Sequence, residues 1–242
     1  MRSGRLTAVT LTALLAGCNG APSLGKQQKA PQFPAADRPV AHIVSSRWST
    51  EETRDRLNEA EEVMDRAAIR PGMTVADIGA GEGYYTIRMA ARVGKNGRVL
   101  AQDIVPAVRD GLARRVARER LDNVSVRLGT PADPKLPVDS FDRVLMVHMY
   151  HEIEAPYEFL WRLRPSLKPD GAVVVVDANR ATQDHGTPPA LLACEFAAAG
   201  YARLSHTDLP SAGGYIALFR PRGTRPAPDA IRPCRTARPD PR

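Results

Sequence analysis

The sequence predicts an α/β fold, a doubly wound and mostly parallel sheet of seven strands with helices on both faces. Three observations predict it. Apolar segments of strand length alternate with segments of helical period across residues 48–220. Four consecutive valines, Val173 to Val176, are typical of a strand that is buried on both faces. A turn rich in glycine, residues 79–83, links the first strand to the helix after it.

Each element has a local reason. Ser49-Thr50-Glu51-Glu52 has the pattern of a capping box, and apolar residues then recur at helical spacing until Pro71-Gly72 ends the helix. Pro106 and Pro156 begin helices, because the fixed φ of proline suits a first turn. The last two β segments are expected to pair as a hairpin at the end of the sheet. The predicted strands are 73–78, 98–102, 123–128, 141–147, 171–177, 201–207 and 214–220, and the predicted helices after the first are 84–93, those from 106 and 156, and 189–199.

Charge is concentrated at the two ends of the chain. The net charge is +7 over 242 residues. Residues 1–17 contribute Arg2 and Arg5, and residues 220–242 hold seven arginines against Asp229 and Asp240, so residues 18–219 are neutral overall. A basic domain that binds nucleic acid is therefore not predicted.

The N-terminus has the pattern of an export signal. Two arginines precede an apolar run from Leu6 to Ala16, which is too short to span a membrane. The run ends in Leu15-Ala16-Gly17-Cys18, which resembles a bacterial lipobox. That resemblance implies a signal peptide over residues 1–17 and a lipid anchor on Cys18, facing the periplasm. A plain secretory signal, giving a soluble periplasmic protein, is the alternative.

Composition sets the other predicted boundaries. Residues 18–47 are rich in proline, glycine and glutamine and are expected to be a flexible tether. Residues 48–220 are the predicted domain. Residues 221–242 hold six prolines and six arginines without a period and are expected to be disordered. Cys234 falls in this tail, whereas Cys194 lies in an apolar helical stretch, where a buried thiol is expected.

The motif that carries chemistry is Asp77-Ile78-Gly79-Ala80-Gly81-Glu82-Gly83-Tyr84. Glycines between a strand and a helix let the backbone turn sharply and let a ligand approach closely. The dinucleotide fingerprint would need a glycine where Tyr84 stands. Asp77 would repel a pyrophosphate and attract a cation. S-adenosylmethionine (SAM), with an ammonium, a sulfonium and no phosphate, fits this pattern.

Two further features follow in order along the chain. Asp103 ends the second strand, where an acidic side chain can accept both ribose hydroxyls. Leu136-Pro137-Val138-Asp139-Ser140-Phe141-Asp142 precedes the fourth strand. Together with the glycine turn, these segments strongly resemble the class I SAM-dependent methyltransferases, especially the branch of the quinone-biosynthesis methyltransferases. The resemblance runs from about Met73 to Asp177 and implies a Rossmann-like methyltransferase fold.

The resemblance also implies roles for individual residues. It implies that Asp103 binds ribose, that Ile104 packs on adenine and that His148 lies by the cofactor. The family often has an aspartate that reaches the adenine amine a few residues before the Leu-Pro segment. Asp133 would take that role here, although a simple turn residue before Pro134 is an equal alternative. The methionine side of SAM would be held by Asp77, Gly79, Gly81 and Gly83.

The substrate side is expected at the carboxyl end of the fourth strand, since ligands of open α/β sheets bind there. His151 is the first candidate for a base, oriented by Glu152, and Tyr150 would hydrogen-bond the acceptor. The alternative is that His148 and His151 only cap the strand. No metal is predicted, because the spacing matches neither zincin pattern. A metal would require His185 or Asp177 to fold over this segment.

The predicted function is methyl transfer from SAM to a small-molecule acceptor, with no nucleic-acid partner. The competing hypothesis is an exported, non-catalytic or repurposed binding protein on the same fold, because SAM is made in the cytoplasm and a fold does not fix a function. A nicotinamide-dependent enzyme is disfavoured by Tyr84. The residues before the first strand and after the fourth and fifth strands are too short for an elaborate lid.

Overall fold

The computed structural model describes residues 31–43 and 50–235, which lie in a compact unit that begins at Pro31. The predicted export signal and Cys18 lie outside the described residues, as does Ser49. Among the described helices, none combines the length and the apolar character needed to cross a membrane.

Six helices and seven strands make up the regular structure of the described residues. The helices are α1 (Glu51–Arg56), α2 (Glu59–Arg66), α3 (Tyr84–Val93), α4 (Pro106–Arg118), α5 (Pro156–Leu163) and α6 (Pro189–Ala198). The strands are β1 (Thr74–Ile78), β2 (Arg98–Asp103), β3 (Val124–Leu128), β4 (Phe141–Val147), β5 (Leu167–Asp177), β6 (Tyr201–Leu209) and β7 (Gly214–Pro221). Short 3-10 turns cover Tyr150–Glu152 and Thr182–Asp184.

The seven strands form one sheet in the order β3-β2-β1-β4-β5-β7-β6. Strands β1 to β5 run parallel, whereas β7 pairs antiparallel with both β5 and β6. The prediction of a doubly wound, mostly parallel sheet of seven strands with a terminal hairpin is confirmed. The chain order reverses on either side of β1, so a crevice for ligands opens at the carboxyl ends of β1 and β4.

The core has two parts, one on each face of the sheet. Val173 and Val175 pack with α5 and α6, while Val174 and Val176 pack with α2 and α3. All four side chains are fully buried. Burial on both faces explains why the strand carries consecutive valines rather than an alternating pattern.

The long first helix predicted from residue 49 is two short helices. Thr50 caps α1, and its side chain accepts a hydrogen bond from the Thr53 amide at 3.3 Å. The chain then breaks at Leu57 and at Asn58, which has a φ of 56°. Leu57 is 55% exposed, so this apolar residue is not on the buried face that the helical spacing implied.

Residues 31–43, here called the N-terminal strap, pack on the domain, although they were predicted to be part of a flexible tether. The Nε atom of Arg38 donates to Glu195 Oε1 at 2.9 Å, with both side chains fully buried. The Ala41 amide donates to the His151 carbonyl at 3.2 Å. One buried ion pair thus fixes a segment whose composition carries no structural period.

Residues 222–235, here called the C-terminal segment, are also ordered against the domain, which corrects the prediction of a disordered tail. Trp161 Nε1 donates to the Pro226 carbonyl at 2.8 Å, and the Arg164 guanidinium donates to the carbonyls of residues 222–224. Ile231 is buried. Hydrogen bonds from side chains on α5 and just after it replace the regular structure that the prolines forbid.

The expectation of a free buried thiol at Cys194 is wrong. Cys194 on α6 forms a disulfide with Cys234, across 40 residues of sequence. The bond anchors the end of the C-terminal segment to the domain. The amide of Cys234 also donates to the Tyr157 hydroxyl at 2.6 Å.

Candidate active site

The glycine turn after β1 forms the floor of the site. Gly79, Gly81 and Gly83 have φ values of 68°, 55° and 93°, a region that side chains rarely adopt. A Cβ atom on Gly83 would lie 2.4 Å from Leu112 Cδ1, so a side chain here would displace Leu112 of α4. A Cβ atom on Gly81 would meet no atom within 4 Å. Gly81 therefore leaves open space over its backbone, as a closely bound ligand requires.

Asp103, at the end of β2, braces this turn. Its Oδ2 accepts a hydrogen bond from the Gly81 amide at 3.1 Å, and its Oδ1 accepts one from the Val105 amide at 2.9 Å. The carboxylate is buried and lines the cleft described below. It couples the two loops that leave β1 and β2.

Asp77 is the buried carboxylate of the site. It is 3% exposed, and its Oδ2 accepts a hydrogen bond from Thr86 Oγ1 at 2.6 Å. Burial raises the pKa of Asp77 to about 6, although the Thr86 hydrogen bond opposes the shift. A carboxylate that is costly to ionise gains most from a cationic ligand, because the ligand replaces the lost hydration.

A cleft of about 850 Å³ opens at the carboxyl edge of β1, β2 and β4. Its lining includes most of the predicted cofactor residues and one predicted catalytic residue: Asp77, Gly79, Gly81, Asp103, Ile104, His148 and Glu152. Gly83 lies outside the lining and acts through the turn. The structure therefore brings together side chains that are up to 75 positions apart in the sequence.

Asp133, the candidate for the adenine contact, does not line the cleft. Its Oδ1 accepts a hydrogen bond from the Lys135 amide at 2.7 Å, and its Oδ2 lies 3.8 Å from Arg162. Thr130 and Pro131 line the cleft in this region, and Asp133 does not. The turn alternative is the one that the structure shows, because Asp133 closes the bend of its own loop.

Sequence reasoning missed Gln102. This residue is 1% exposed and lines the cleft from β2, directly before Asp103. Its Nε2 has no hydrogen-bond partner among the described residues, and a Cβ atom on Gly129 would lie 1.8 Å from it. The sequence signal that could have identified it is a polar residue at the end of an otherwise apolar strand. The buried amide is suited to hydrogen-bond a ligand.

Both tyrosines of the motif line the cleft, which the sequence could not decide. The Tyr84 hydroxyl donates to Asp55 Oδ1 at 3.0 Å, and the Tyr85 hydroxyl donates to Glu59 Oε1 at 2.8 Å. The Arg54 guanidinium lies 3.7 Å from the centre of the Tyr84 ring. These contacts hold α1 and α2 against the cofactor side of the cleft.

The predicted catalytic residues separate in space. Tyr150 is fully buried and its hydroxyl donates to Glu195 Oε2 at 2.7 Å, so it does not reach the cleft and its predicted contact with the acceptor is wrong. His151 is fully buried, and its Nδ1 lies 3.0 Å from Asp177 Oδ1. His151 is also absent from the cleft lining. Of the predicted catalytic residues, only Glu152 lines the cleft.

His148, and not His151, is the histidine that lines the cleft at the end of β4. It lines the cleft at the end of β4, with a φ of 52° and its amide donating to the Val176 carbonyl at 2.8 Å. Burial lowers the pKa of His148 below its usual value. The imidazole is therefore neutral at pH 7, which is the form that can accept a proton.

Comparison with known proteins identifies similar sequences and similar folds. Residues 75–171 match the family model described as a methyltransferase domain. Nocamycin O-methyltransferase of Saccharothrix syringae is 35% identical over 47% of this chain and 41% of its own length. The ubiquinone/menaquinone biosynthesis C-methyltransferase UbiE of Hydrogenovibrio crunogenus is 31% identical over 50% of this chain and 48% of its own length.

The chain thus spans less than half the length of these curated relatives. Among solved structures, a SAM-dependent methyltransferase from Aquifex aeolicus has the same fold. It superposes with a TM-score of 0.60 at 21% identity and covers 71% of this chain and 97% of its own. The fold and the matched residues agree: the chain has a Rossmann-like methyltransferase fold, and residues 75–171 match a methyltransferase domain.

Proposed function

We propose that this protein transfers the methyl group of SAM to a small-molecule acceptor that binds in the 850 Å³ cleft. The open space over Gly81, in a cleft that Asp77 and Asp103 also line, carries the proposal. Two carboxylates suit the cationic and hydroxyl groups of SAM. Among the described residues, no Lys, Arg or His side chain donates a hydrogen bond to either carboxylate. The residues present therefore fit the cofactor.

Each side chain has a defined task. Asp77 would bind the ammonium of the methionine part, Asp103 the ribose, and Ile104 and Gln102 the adenine. When bound, SAM supplies an electrophilic methyl group. The protein aligns the acceptor for in-line attack and excludes water, which is the larger part of catalysis in such a reaction.

His148 is the proton acceptor in this proposal. It lines the cleft, and burial keeps its imidazole neutral by lowering its pKa. The neutral ring would take the proton that an oxygen or nitrogen acceptor loses on methylation. Glu152 also lines the cleft and would orient the acceptor.

Calorimetric titration with SAM and with its demethylated product tests the cofactor site. The sample is the full chain, purified from cells in its folded form. We expect both ligands to bind with micromolar affinity. A folded protein that binds neither would contradict the proposal, and the non-catalytic alternative would replace it.

A pair of glycine variants makes this test specific. Gly81 and Gly72 both have a positive φ, and a Cβ atom would have open space at either position, but only Gly81 lines the cleft. Alanine at either position is expected to cost about 1–2 kcal/mol of folding free energy, since the left-handed backbone is strained. We expect only Gly81→Ala to weaken SAM binding, by at least about tenfold, because about 1.4 kcal/mol of lost contact suffices. Equal SAM affinity in the two variants would exclude ligand contact at Gly81.

We also propose that the protein is exported and anchored by a lipid on Cys18. The arginines, apolar run and lipobox-like end of residues 1–18 support this location. The disulfide between Cys194 and Cys234 supports it independently, because disulfides persist in oxidising compartments. Those two cysteines are paired, which leaves Cys18 as the third cysteine of the sequence.

Metabolic labelling with radioactive palmitate in a bacterial host tests the anchor. We expect label on the wild-type protein and on Ser23→Ala, a nearby change outside the lipobox-like segment. Cys18→Ser should carry none, because the acyl chains need the cysteine. Absence of label on a wild-type protein that accumulates normally would refute the anchor.

A further inference from the structure

Three side chains with metal-binding atoms meet beside the cleft. They are His151 and Glu152, on the 3-10 turn after β4, and His185, on the loop after β5. One potential ligand atom from each lies within 4.8 Å of the others. The rings of His151 and His185 have centroids 5.5 Å apart and are nearly perpendicular. Both loops leave the carboxyl edge of the sheet, which explains why the three residues converge.

His151 is oriented by a carboxylate that is already saturated with donors. Asp177 accepts hydrogen bonds from the Ala178 amide at 2.9 Å and from Thr187 Oγ1 at 2.7 Å, and its Oδ1 lies 3.0 Å from His151 Nδ1. Because the carboxylate accepts, Nδ1 of the imidazole carries the proton. Nε2 therefore presents its lone pair on the other side of the ring.

That lone pair is the second observation that points to a ligand. His151 is 0% exposed, and Nε2 has no hydrogen-bond partner among the described residues. A buried nitrogen without a partner costs folding free energy, so it needs an explanation. Glu152 and His185 each bring a potential metal-binding atom within 4.8 Å of one on His151. A carboxylate behind the imidazole is the usual second partner of a metal-bound histidine.

The loop after β5 is built to deliver His185. The Thr187 amide donates back to the Ala178 carbonyl at 2.9 Å, which closes the loop on the end of the strand. A Cβ atom on Gly186 would lie 2.5 Å from that same carbonyl, so only glycine fits. The N-terminal strap holds the other side, where Thr182 Oγ1 donates to the Pro39 carbonyl at 2.6 Å. The loop that carries His185 is therefore held by contacts on both sides of that residue.

We propose that His151 Nε2, Glu152 and His185 bind one divalent first-row transition-metal ion of the Zn²⁺ type, with Asp177 as the positioning residue of His151. Two imidazoles and one carboxylate suit Zn²⁺ and its neighbours, whereas Mg²⁺ and Ca²⁺ prefer oxygen ligands alone. Three protein ligands leave coordination positions open. Because Glu152 also lines the cleft, the ion lies at its edge. This site does not require that SAM bind.

Zn²⁺ titration of the full chain, first freed of metal with a chelator, tests the site. We expect one Zn²⁺ per chain by calorimetry, and visible absorption bands when Co²⁺ replaces it. His185→Ala and Glu152→Gln change side chains that are only partly buried, so both variants should fold. Each should weaken binding by more than about 10- to 100-fold, the loss typical of an outer-shell partner alone. His206→Ala, an exposed histidine on β6, is the matched control and should bind as wild type does.

Two outcomes would overturn the proposal: no Zn²⁺ binding by folded wild-type protein, or equal Zn²⁺ affinity in wild type and His185→Ala. A SAM titration of the same samples separates this result from the proposed function. Intact SAM binding without Zn²⁺ binding would refute only the metal site. Zn²⁺ binding without SAM binding would refute only the methyltransferase proposal.

Discussion

Asp77→Asn is expected to weaken SAM binding by at least about 30-fold, because removing one member of a buried charge pair costs about 2 kcal/mol or more. The substitution keeps the size of the side chain and an oxygen that can accept the Thr86 hydrogen bond. It removes only the negative charge that would face the SAM ammonium. Calorimetric titration of wild type and variant measures the difference directly.

The expected stability of Asp77→Asn rules out unfolding as the cause of its weaker SAM binding. Burial raises the folded-state pKa of Asp77 from 3.8 to about 6, so the folded state holds its proton more tightly than the unfolded chain. Ionised Asp77 therefore opposes folding, and this loss of stability develops as pH rises between those two values. Asp77→Asn should then be at least as stable as wild type at pH 7, and weak binding cannot be blamed on unfolding.

The same shift predicts how SAM affinity depends on pH. A cationic ligand binds the carboxylate form, so wild-type affinity should rise as pH increases through about 6 and then level off. Asp77→Asn should show no such rise, whereas Asp122→Asn, an exposed change outside the cleft, should behave as wild type does. A wild-type affinity that is flat between about pH 5 and pH 7 would mean that Asp77 does not face the cation.

The cofactor half of the site could be predicted because its signals are local. Gly79, Gly81 and Gly83 occupy a single turn whose positive φ values only glycine adopts easily. Asp77 and Asp103 each stand at the end of a strand with a clear apolar pattern. Parallel strands end at one edge of the sheet, so the sequence order alone places both carboxylates there.

The acceptor half could not be predicted, because one short turn decides which side chain faces which way. His148 has a left-handed backbone, and Tyr150–Glu152 then forms a 3-10 turn. These dihedral angles send His148 and Glu152 to the cleft and bury Tyr150 and His151. Neither β period nor helical period applies across such a junction, so spacing carries no information about direction.

The ends of the domain were mispredicted for a different reason. Composition reports whether a segment can form its own core, and neither the strap nor the C-terminal segment does. Both are held by individual contacts to distant residues, such as Arg38 to Glu195 and Trp161 to Pro226. The disulfide between Cys194 and Cys234 is also a contact between distant residues, and the local composition around either cysteine does not indicate it.

Removing the disulfide is expected to have the largest effect on stability. Cys194 and Cys234 close a loop of 40 residues, and the loss of chain-entropy restraint for a loop of this length is about 4 kcal/mol. For a domain of this size the double variant Cys194→Ser/Cys234→Ser should unfold about 10 °C lower than wild type. Thermal unfolding under oxidising conditions measures this, with Cys18→Ser as the control that leaves the bond intact.

Loss of the disulfide should lower stability without changing SAM affinity, because the bond lies away from the glycine turn. Cys194 precedes Glu195, whose carboxylate holds Arg38 and Tyr150, whereas the Gly81 turn lies at the carboxyl edge of β1. In the double variant, protease should cut residues 222–235 first, while the folded fraction keeps its SAM affinity. Adding a reductant should bring wild type to the same unfolding temperature. Equal stability with and without the bond would mean that the side-chain contacts from Trp161 and Arg164 alone hold the C-terminal segment.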